Sequence, residues 1–306
     1  MEPVLSVKKL KKVYGGTFVA VDEISFDLGA GEILGLLGPN GSGKTTTIQM
    51  LLRTLTKTSG SIVYFGKDLY EHASEILQHV SYASTYSNLP HILTVEENLK
   101  VFGRLYGLKP QETVRRTGPL LERFGIADKW KERVSTLSAG QITRLMLVKA
   151  FFIEPKVVLL DEPTASLDPD IAKDVCQFLS DERERSGLSI LFTSHKMNEV
   201  SELCDRVIFL KQGKIIANDL PKNLAKSILS HRLQLVILDG LKRTQALAEK
   251  RKLNYQVEHR TMTISMDDSM IPSFLNELAQ TQVTYSSIRI EEPSLEDYFL
   301  QIAEDR

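Results

Sequence analysis

Gly38-Pro39-Asn40-Gly41-Ser42-Gly43-Lys44-Thr45 is the stretch on which the reading of this chain turns. A short apolar run, Glu32-Ile33-Leu34-Gly35-Leu36-Leu37, leads into it. Thr45 to Leu55 follows, with Ile48, Leu51, Leu52 and Leu55 at helical spacing. The pattern is G-x-x-x-x-G-K-[ST] between a strand and a helix. Glycines let backbone N–H groups approach a polyphosphate closely, and the dipole of the helix that follows favours anions. Lys44 reaches toward terminal phosphates, and the Thr45 hydroxyl is placed to ligate Mg²⁺. A glycine-rich turn that merely happens to precede Lys-Thr is the alternative, and the matching strand and helix on either side argue against it.

Working outward, Val4–Val7, Thr17–Val21 and Ile24–Phe26 read as strands, with Gly15-Gly16 as the turn between the first two. Leu89 to Val134 reads as helical, and Thr94-Val95-Glu96-Glu97 is a capping box at its first helix. Leu99, Phe102, Leu105 and Tyr106 form an apolar stripe that Gly107 stops. A further helix runs from beyond Gly140 to Ile153. Val157–Leu160 is continuously apolar, as strands covered on both faces are, and Leu188-Ser189-Ile190-Leu191-Phe192 follows a similar pattern. Strands alternating with helices around a glycine-rich turn predict a parallel sheet with crossover helices. Asp161-Glu162 closes the first apolar strand. There one acid can hold Mg²⁺ and the next can polarise an attacking water. Such a pair alone is a weak signal; paired with the loop it gains force, because both converge at the carboxyl edge of one parallel sheet.

The chain has 306 residues, 42% of them hydrophobic and 25% charged, with a net charge of −1. That balance removes a chain-wide electrostatic case for nucleic acid or anionic lipid. No apolar run approaches the roughly 18 residues that span a bilayer, and Met1-Glu2-Pro3-Val4-Leu5 does not read as a signal peptide. Cys176 and Cys204 form no metal-type pairing and read as small core residues in a reducing compartment. The expected location is the cytoplasm.

After about Leu220 the texture changes. Arg232–Leu238, Tyr255–His259, Met262–Met266 and Val283–Ile290 read as strands; Thr244–Lys252, Ile271–Ala279 and Leu295–Ala303 read as helices. The strand-helix-strand-strand-helix-strand order is that of a split βαβ sandwich. The expected division is residues 1–220 and a smaller α+β domain at 221–306.

Leu137-Ser138-Ala139-Gly140-Gln141, ahead of a helix, resembles the LSGGQ signature of ABC ATPases, with Ala139 in place of the first glycine. Tyr14 is similar to the aromatic that stacks on adenine in that family, Ala165-Ser166-Leu167-Asp168 to its D-loop, and His195 to its switch histidine. The strand pair around Lys211-Gln212-Gly213-Lys214 fits as well. The resemblance covers roughly residues 4–220. It implies an α/β fold: a P-loop NTPase parallel-sheet core with N-terminal antiparallel strands and a helical subdomain at about 86–150.

The resemblance also implies roles. Gly38, Pro39, Asn40, Gly41, Ser42, Gly43, Lys44, Thr45 and Thr46 would bind ATP, with Thr45 and Asp161 on Mg²⁺. Ser138, Gly140 and Gln141 would face the ATP of a second copy in a head-to-tail sandwich. Lys44, Glu162 and His195 would carry hydrolysis, Glu162 as general base and His195 at the γ-phosphate, and Asp168 would link the two sites. Structural alternatives stand beside these: Tyr14 as an ordinary aromatic, His195 as a structural histidine, and Asp168 as a cap ahead of Pro169. One departure concerns the family's glutamine after the strand Val80–Ser84, where Thr85 stands. The expectation is that Thr85 or Ser84 offers a hydroxyl of shorter reach, with altered coupling to a membrane partner.

Glu292-Pro293-Ser294-Leu295-Glu296-Asp297-Tyr298-Phe299-Leu300 resembles the terminus of ATPase subunits of type-2 ABC exporters; it also reads as an amphipathic helix capped by Ser294. The function implied is ATP hydrolysis that powers a separate membrane permease, peripheral on the cytoplasmic face, with export favoured. An importer subunit with a regulatory C-terminal domain is the alternative. A non-transport ABC protein is the other, disfavoured because there is one phosphate loop and no room for a long coiled coil between Lys44 and Ser138. No nucleic acid is expected as a partner.

Overall fold

The computed structural model describes residues 2–84, 89–227 and 231–304. Its backbone divides into two compact units, Met1–Leu220 and Pro221–Arg306.

The first unit begins with β1 (Leu5–Tyr14) and β2 (Phe18–Leu28), an antiparallel pair. Both strands are longer than their sequence patterns predict. Lys9 and Glu23 take positive φ, and the pairing register shifts beside them, so each bulge carries a strand through a break in alternation. Next come β3 (Ile33–Leu37), α1 (Lys44–Leu51), β4 (Ser59–Tyr64), β5 (Lys67–Asp68), α2 (Ala73–Leu77) and β6 (Val80–Ser84). The first helix stops four residues short of the expected Leu55. Arg53 turns left-handed, and the Thr54 and Leu55 N–H groups both fall back on the Gln49 carbonyl.

α3 (Val95–Leu105) starts with the expected capping box: Thr94 Oγ1 accepts from Glu97 N, and Glu97 Oε2 accepts from Thr94 N. α4 (Pro110–Arg123) and α5 (Ala139–Phe151) complete the helical part. The unit closes with β7 (Val157–Asp161), α6 (Pro169–Ser186), β8 (Ser189–Thr193), α7 (Met197–Leu203), β9 (Arg206–Lys211) and β10 (Lys214–Asp219).

Two sheets result, ordered β2-β1-β4-β5 and β10-β9-β3-β8-β7-β6. In the second, every pairing from β9 to β6 is parallel, and only β10 runs antiparallel. β3, β7 and β8 are buried along their whole length, which explains their largely apolar sequence. Leu34, Leu36, Ile48, Leu51, Leu159 and Leu191 belong to a core shared with Leu5, Val7, Phe26 and Ile62 of the antiparallel sheet. β3, β8 and β7 are neighbours, so the segments that follow each of them emerge side by side. Ser84, Asp161 and Thr193 lie in one cross-strand row at that edge. This is the P-loop NTPase arrangement.

The second unit contains α8 (Pro221–Lys226), β11 (His231–Asp239), α9 (Leu241–Lys250), β12 (Asn254–Glu258), β13 (Thr261–Met266), α10 (Ile271–Gln280), β14 (Thr284–Glu291) and α11 (Leu295–Glu304). Its sheet is ordered β12-β13-β11-β14, antiparallel throughout. The two strand-helix-strand units are each split by a strand of the other, the predicted sandwich order. Leu233, Leu235, Ile237, Met262, Ile264, Phe274 and Leu278 fill its core. Ser294 and Asp297 form a capping box at the last helix.

Candidate functional site

The loop between β3 and α1 folds tightly because two of its glycines sit where no side chain fits. Gly38 has φ +146°, and a Cβ there would lie 2.2 Å from the Leu210 carbonyl oxygen. Gly43, the N-cap of α1, has φ +106°, and its Cβ would meet the Ala20 carbonyl oxygen at 2.6 Å. The loop therefore packs backbone against backbone of β9 and β2. Gly43→Ala should lower unfolding free energy by about 2 kcal/mol or more, since both the left-handed φ and the contact oppose a side chain. Urea unfolding checks this; an unchanged midpoint would contradict it.

Lys44 bends back over the loop. Its Nζ donates to the carbonyl oxygens of Gly38 (2.6 Å) and Pro39 (3.2 Å). Burial pulls the ammonium below its ordinary pKa, against the raising pull of Glu162 and Asp161. Ser42 Oγ is buried in the same loop without a hydrogen-bond partner. A loop of N–H groups at a helix start, a lysine and an orphaned hydroxyl form a cradle for an anion of several oxygens.

β7 delivers Asp161 and Glu162 to this cradle. Thr193, fully buried at the end of β8, fixes both: its hydroxyl donates to Asp161 Oδ1 (2.8 Å) and accepts from the Glu162 N–H (3.0 Å). Glu162 is in the left-handed region at φ +54°, a strained conformation at the strand's exit. Its Oε2 accepts from His195 N (3.2 Å), and His195 Nε2 stands 3.3 Å from Oε1. That second approach lies within ion-pair range but lacks hydrogen-bond geometry, so Oε1 is buried without a hydrogen-bond partner. Burial raises the Glu162 pKa; the His195 ring charge and N–H, and the Lys44 charge, oppose the rise, and Asp161 adds to it. A carboxylate of raised pKa beside a phosphate cradle suits proton abstraction from water.

Tyr14, Phe18, Ala20, Asn40, Gly41, Ser42, Gly43, Lys44, Thr45, Thr46, Asp161, Glu162 and His195 line one open cleft of about 260 Å³. Gly38 and Pro39 lie behind it as acceptors for Lys44. At its mouth the Tyr14 and Phe18 rings stack at 6.4 Å, and Lys12 Nζ stands 5.0 Å from the Tyr14 ring centroid. Thr45 is exposed at the helix start and Asp161 is buried opposite, two hard oxygen donors in one cleft. That donor set fits Mg²⁺, which takes one or two protein oxygens and completes its shell with phosphate and water.

Ser138, Gly140, Gln141 and Asp168 do not line the cleft. Ser138 is the exposed N-cap of α5; its Oγ accepts from Gln141 N, and Gln141 Oε1 accepts from Ser138 N. A Cβ on Gly140 would lie 3.3 Å from the Ser166 carbonyl, so this helix start packs on the loop that carries Asp168. Asp168 is the N-cap residue of α6 ahead of Pro169, and its side chain makes no capping hydrogen bond. Thr85 lies outside the described residues. Thr193 and Phe18 carry no sequence signal of their own. Thr193 sits next to the Ser194-His195 pair, but its hydroxyl gains meaning only from the neighbouring strand; Phe18 reads as an ordinary alternating strand residue.

A larger cleft, about 1090 Å³, opens at the other edge of the parallel sheet, beside Lys156, Leu188 and Ser189. Of its four lining arginines, Arg115, Arg116 and Arg185 are paired with Glu112, Glu154 and Glu182, and Arg123 donates to the Asp174 carbonyl. None of the motif residues reaches it.

Comparison with known proteins gives these features a family. The ABC transporter family model matches residues 21–165. The linearmycin resistance ATP-binding protein LnrL of Bacillus subtilis is 29% identical over 305 residues, covering 97% of each chain. Nod factor export ATP-binding protein I of Paraburkholderia xenovorans is 38% identical over 226 residues, 74% of each chain. A solved ATP-binding subunit of an ABC transporter superposes with a TM-score of 0.68 at 27% identity, over 73% of this chain and 92% of its own. By the cradle, the carboxylates at the end of another strand of the same sheet and these likenesses together, the chain belongs to the ABC transporter family, as an ATP-binding subunit.

Proposed function

We propose that this chain binds and hydrolyses ATP in a head-to-tail dimer and so drives a separate membrane permease that exports its cargo. The observation that carries the reading is the separation of two half-sites. Lys44, Thr45, Asp161, Glu162 and His195 share one cleft, while Ser138, exposed, and the half-buried Gly140 and Gln141 stand at another helix start outside it. A helix N-terminus with a serine cap suits a phosphate, and a second copy related by a twofold axis would supply it twice.

Within the cleft, Tyr14 stacks on the base and the Gly38–Lys44 loop holds the phosphates. Thr45 and Asp161 hold Mg²⁺, which when bound neutralises charge developing on the phosphate oxygens. Glu162 accepts a proton from the attacking water. His195 contacts the γ-phosphate, and Asp168 links the two sites across the dimer. Export is supported by the relatives named for Nod factor export and linearmycin resistance, the second of which matches both units of this chain. Among the described residues no helix is long and apolar enough to cross a membrane. In this reading the permease is a separate chain and the ATP-binding subunit sits against it on the cytoplasmic face.

Affinity capture of the tagged chain from detergent-solubilised membranes tests this. A multi-spanning protein that raises its ATPase rate supports the proposal; ribosomes or DNA in its place would refute it. Thr85 bears on coupling. By sequence Thr85 takes the place of the family's glutamine, and its neighbour Ser84 is buried in register with Asp161. Thr85→Gln should change permease-stimulated ATPase by severalfold. Unchanged basal and stimulated rates would show that the side chain at this position does not matter.

A further inference from the structure

Glu199, on α7, is not part of the cleft, yet it holds both sides of it. Its side chain is only 13% exposed and carries three contacts. Oε2 accepts from the hydroxyls of Thr164 (2.6 Å) and Ser194 (3.1 Å), and Oε1 pairs with Lys196 Nζ at 3.1 Å. Lys196 Nζ also donates to the Thr164 carbonyl (3.1 Å), and Lys196 N donates to Ser194 Oγ (3.0 Å). Ser194 and Lys196 flank His195; Thr164 follows Glu162 by two residues and opens the loop that carries Asp168. One carboxylate thus closes a ring that staples the His195 turn to the Glu162 exit. The direct contacts between Glu162 and His195 themselves are the longer ones at 3.2 and 3.3 Å.

We propose that Glu199 is a positioning residue for hydrolysis: it sets the distance between His195 and Glu162 and makes the His195 turn move as one body with the loop leading to Asp168. The proposal rests on the reading of Glu162 and His195 above. The physical argument is leverage. Two hydroxyls on a single buried oxygen fix two loops relative to one helix, and charge-assisted hydrogen bonds of this length are the strong ones. An error of about 1 Å between reacting groups costs on the order of 100-fold in rate. ATP binding depends on the cradle of Gly38–Thr46, which Glu199 does not touch.

The test is a kcat-against-Kd split on the full chain. Glu199→Ala should lower kcat about 10- to 100-fold with ATP Kd within about twofold. Glu199→Gln keeps an oxygen for both hydroxyls and loses only the Lys196 pair, so it should recover to within about fivefold of the native rate. Thr164→Val should lower kcat by itself and add little to Glu199→Ala, because one contact cannot be removed twice. If Glu199→Ala folds poorly, Thr164→Val and Glu199→Gln carry the test. A native kcat in Glu199→Ala, equal losses in kcat and Kd, a Gln variant as slow as Ala, or fully multiplying effects would each overturn the proposal. Glu162→Gln is the control: if it hydrolyses ATP at the native rate, the reading of Glu162 fails, independently of Glu199.

Discussion

Glu162→Gln should cut ATP turnover by roughly 10²- to 10⁴-fold, the usual share of a positioned general base, and leave ATP binding intact. The amide keeps the size of the side chain and an acceptor for the His195 N–H, but it cannot take a proton. With hydrolysis blocked, ATP should hold two copies together, and sedimentation with ATP should show a lasting dimer; a persistent monomer counts against the account. The same variant has a stability signature. Burial raises the Glu162 pKa above its ordinary 4.5, so its contribution to stability is fully present below the unfolded pKa and is lost as pH rises through the folded value. At neutral pH the ionised carboxylate therefore costs stability, and the nucleotide-free Gln variant should melt higher than the native chain. The difference should shrink toward pH 4. A melting difference that does not depend on pH would contradict the buried-carboxylate assignment.

Most of what that prediction uses is legible in the sequence, and for a physical reason. Lys44, Asp161, Glu162 and His195 all lie at or shortly after the ends of largely apolar strands, so they announce themselves by position. Parallel neighbours then bring the strand ends together. What stays hidden depends on partners distant in sequence. Thr193 acquires its role only because β8 lies beside β7 with Thr193 opposite Asp161. Glu199 acquires its own only because α7 turns back over Thr164. The bulges at Lys9 and Glu23 and the early end of α1 are local conformations that alternation and periodicity do not encode. Ser138, by contrast, is plain in sequence, while its separation from the cleft is visible only in three dimensions.

Lys44→Ala should weaken ATP binding about 30- to 100-fold and lower turnover with it. The native ammonium is nearly buried and satisfied by two carbonyl oxygens of its own loop. Burial already disfavours its charge, so a polyphosphate entering the cradle meets a cation eager for an anionic partner. Hydrogen bonds to charged groups contribute about 1.5–3 kcal/mol each, which sets the scale of the loss. The variant also removes a cation on which Glu162 and Asp161 pull, leaving two carboxylates to face the incoming phosphates. Equilibrium binding of a fluorescent ATP analogue reads the effect directly. Native affinity in Lys44→Ala would mean that the phosphates lie elsewhere. The two variants separate the steps: Lys44→Ala fails at binding, whereas Glu162→Gln binds and stalls.

Disulfide trapping across the two half-sites bears most directly on the central claim. In a chain carrying Cys176→Ser, Cys204→Ala and Glu162→Gln, cysteines replace the exposed Asn40 and Ala139, which flank the cradle and the Ser138 tip. Oxidation should yield a covalent dimer with ATP and Mg²⁺ and next to none without nucleotide. No trapped dimer under any nucleotide condition, in a protein that still binds ATP, would mean that cradle and tip never face each other.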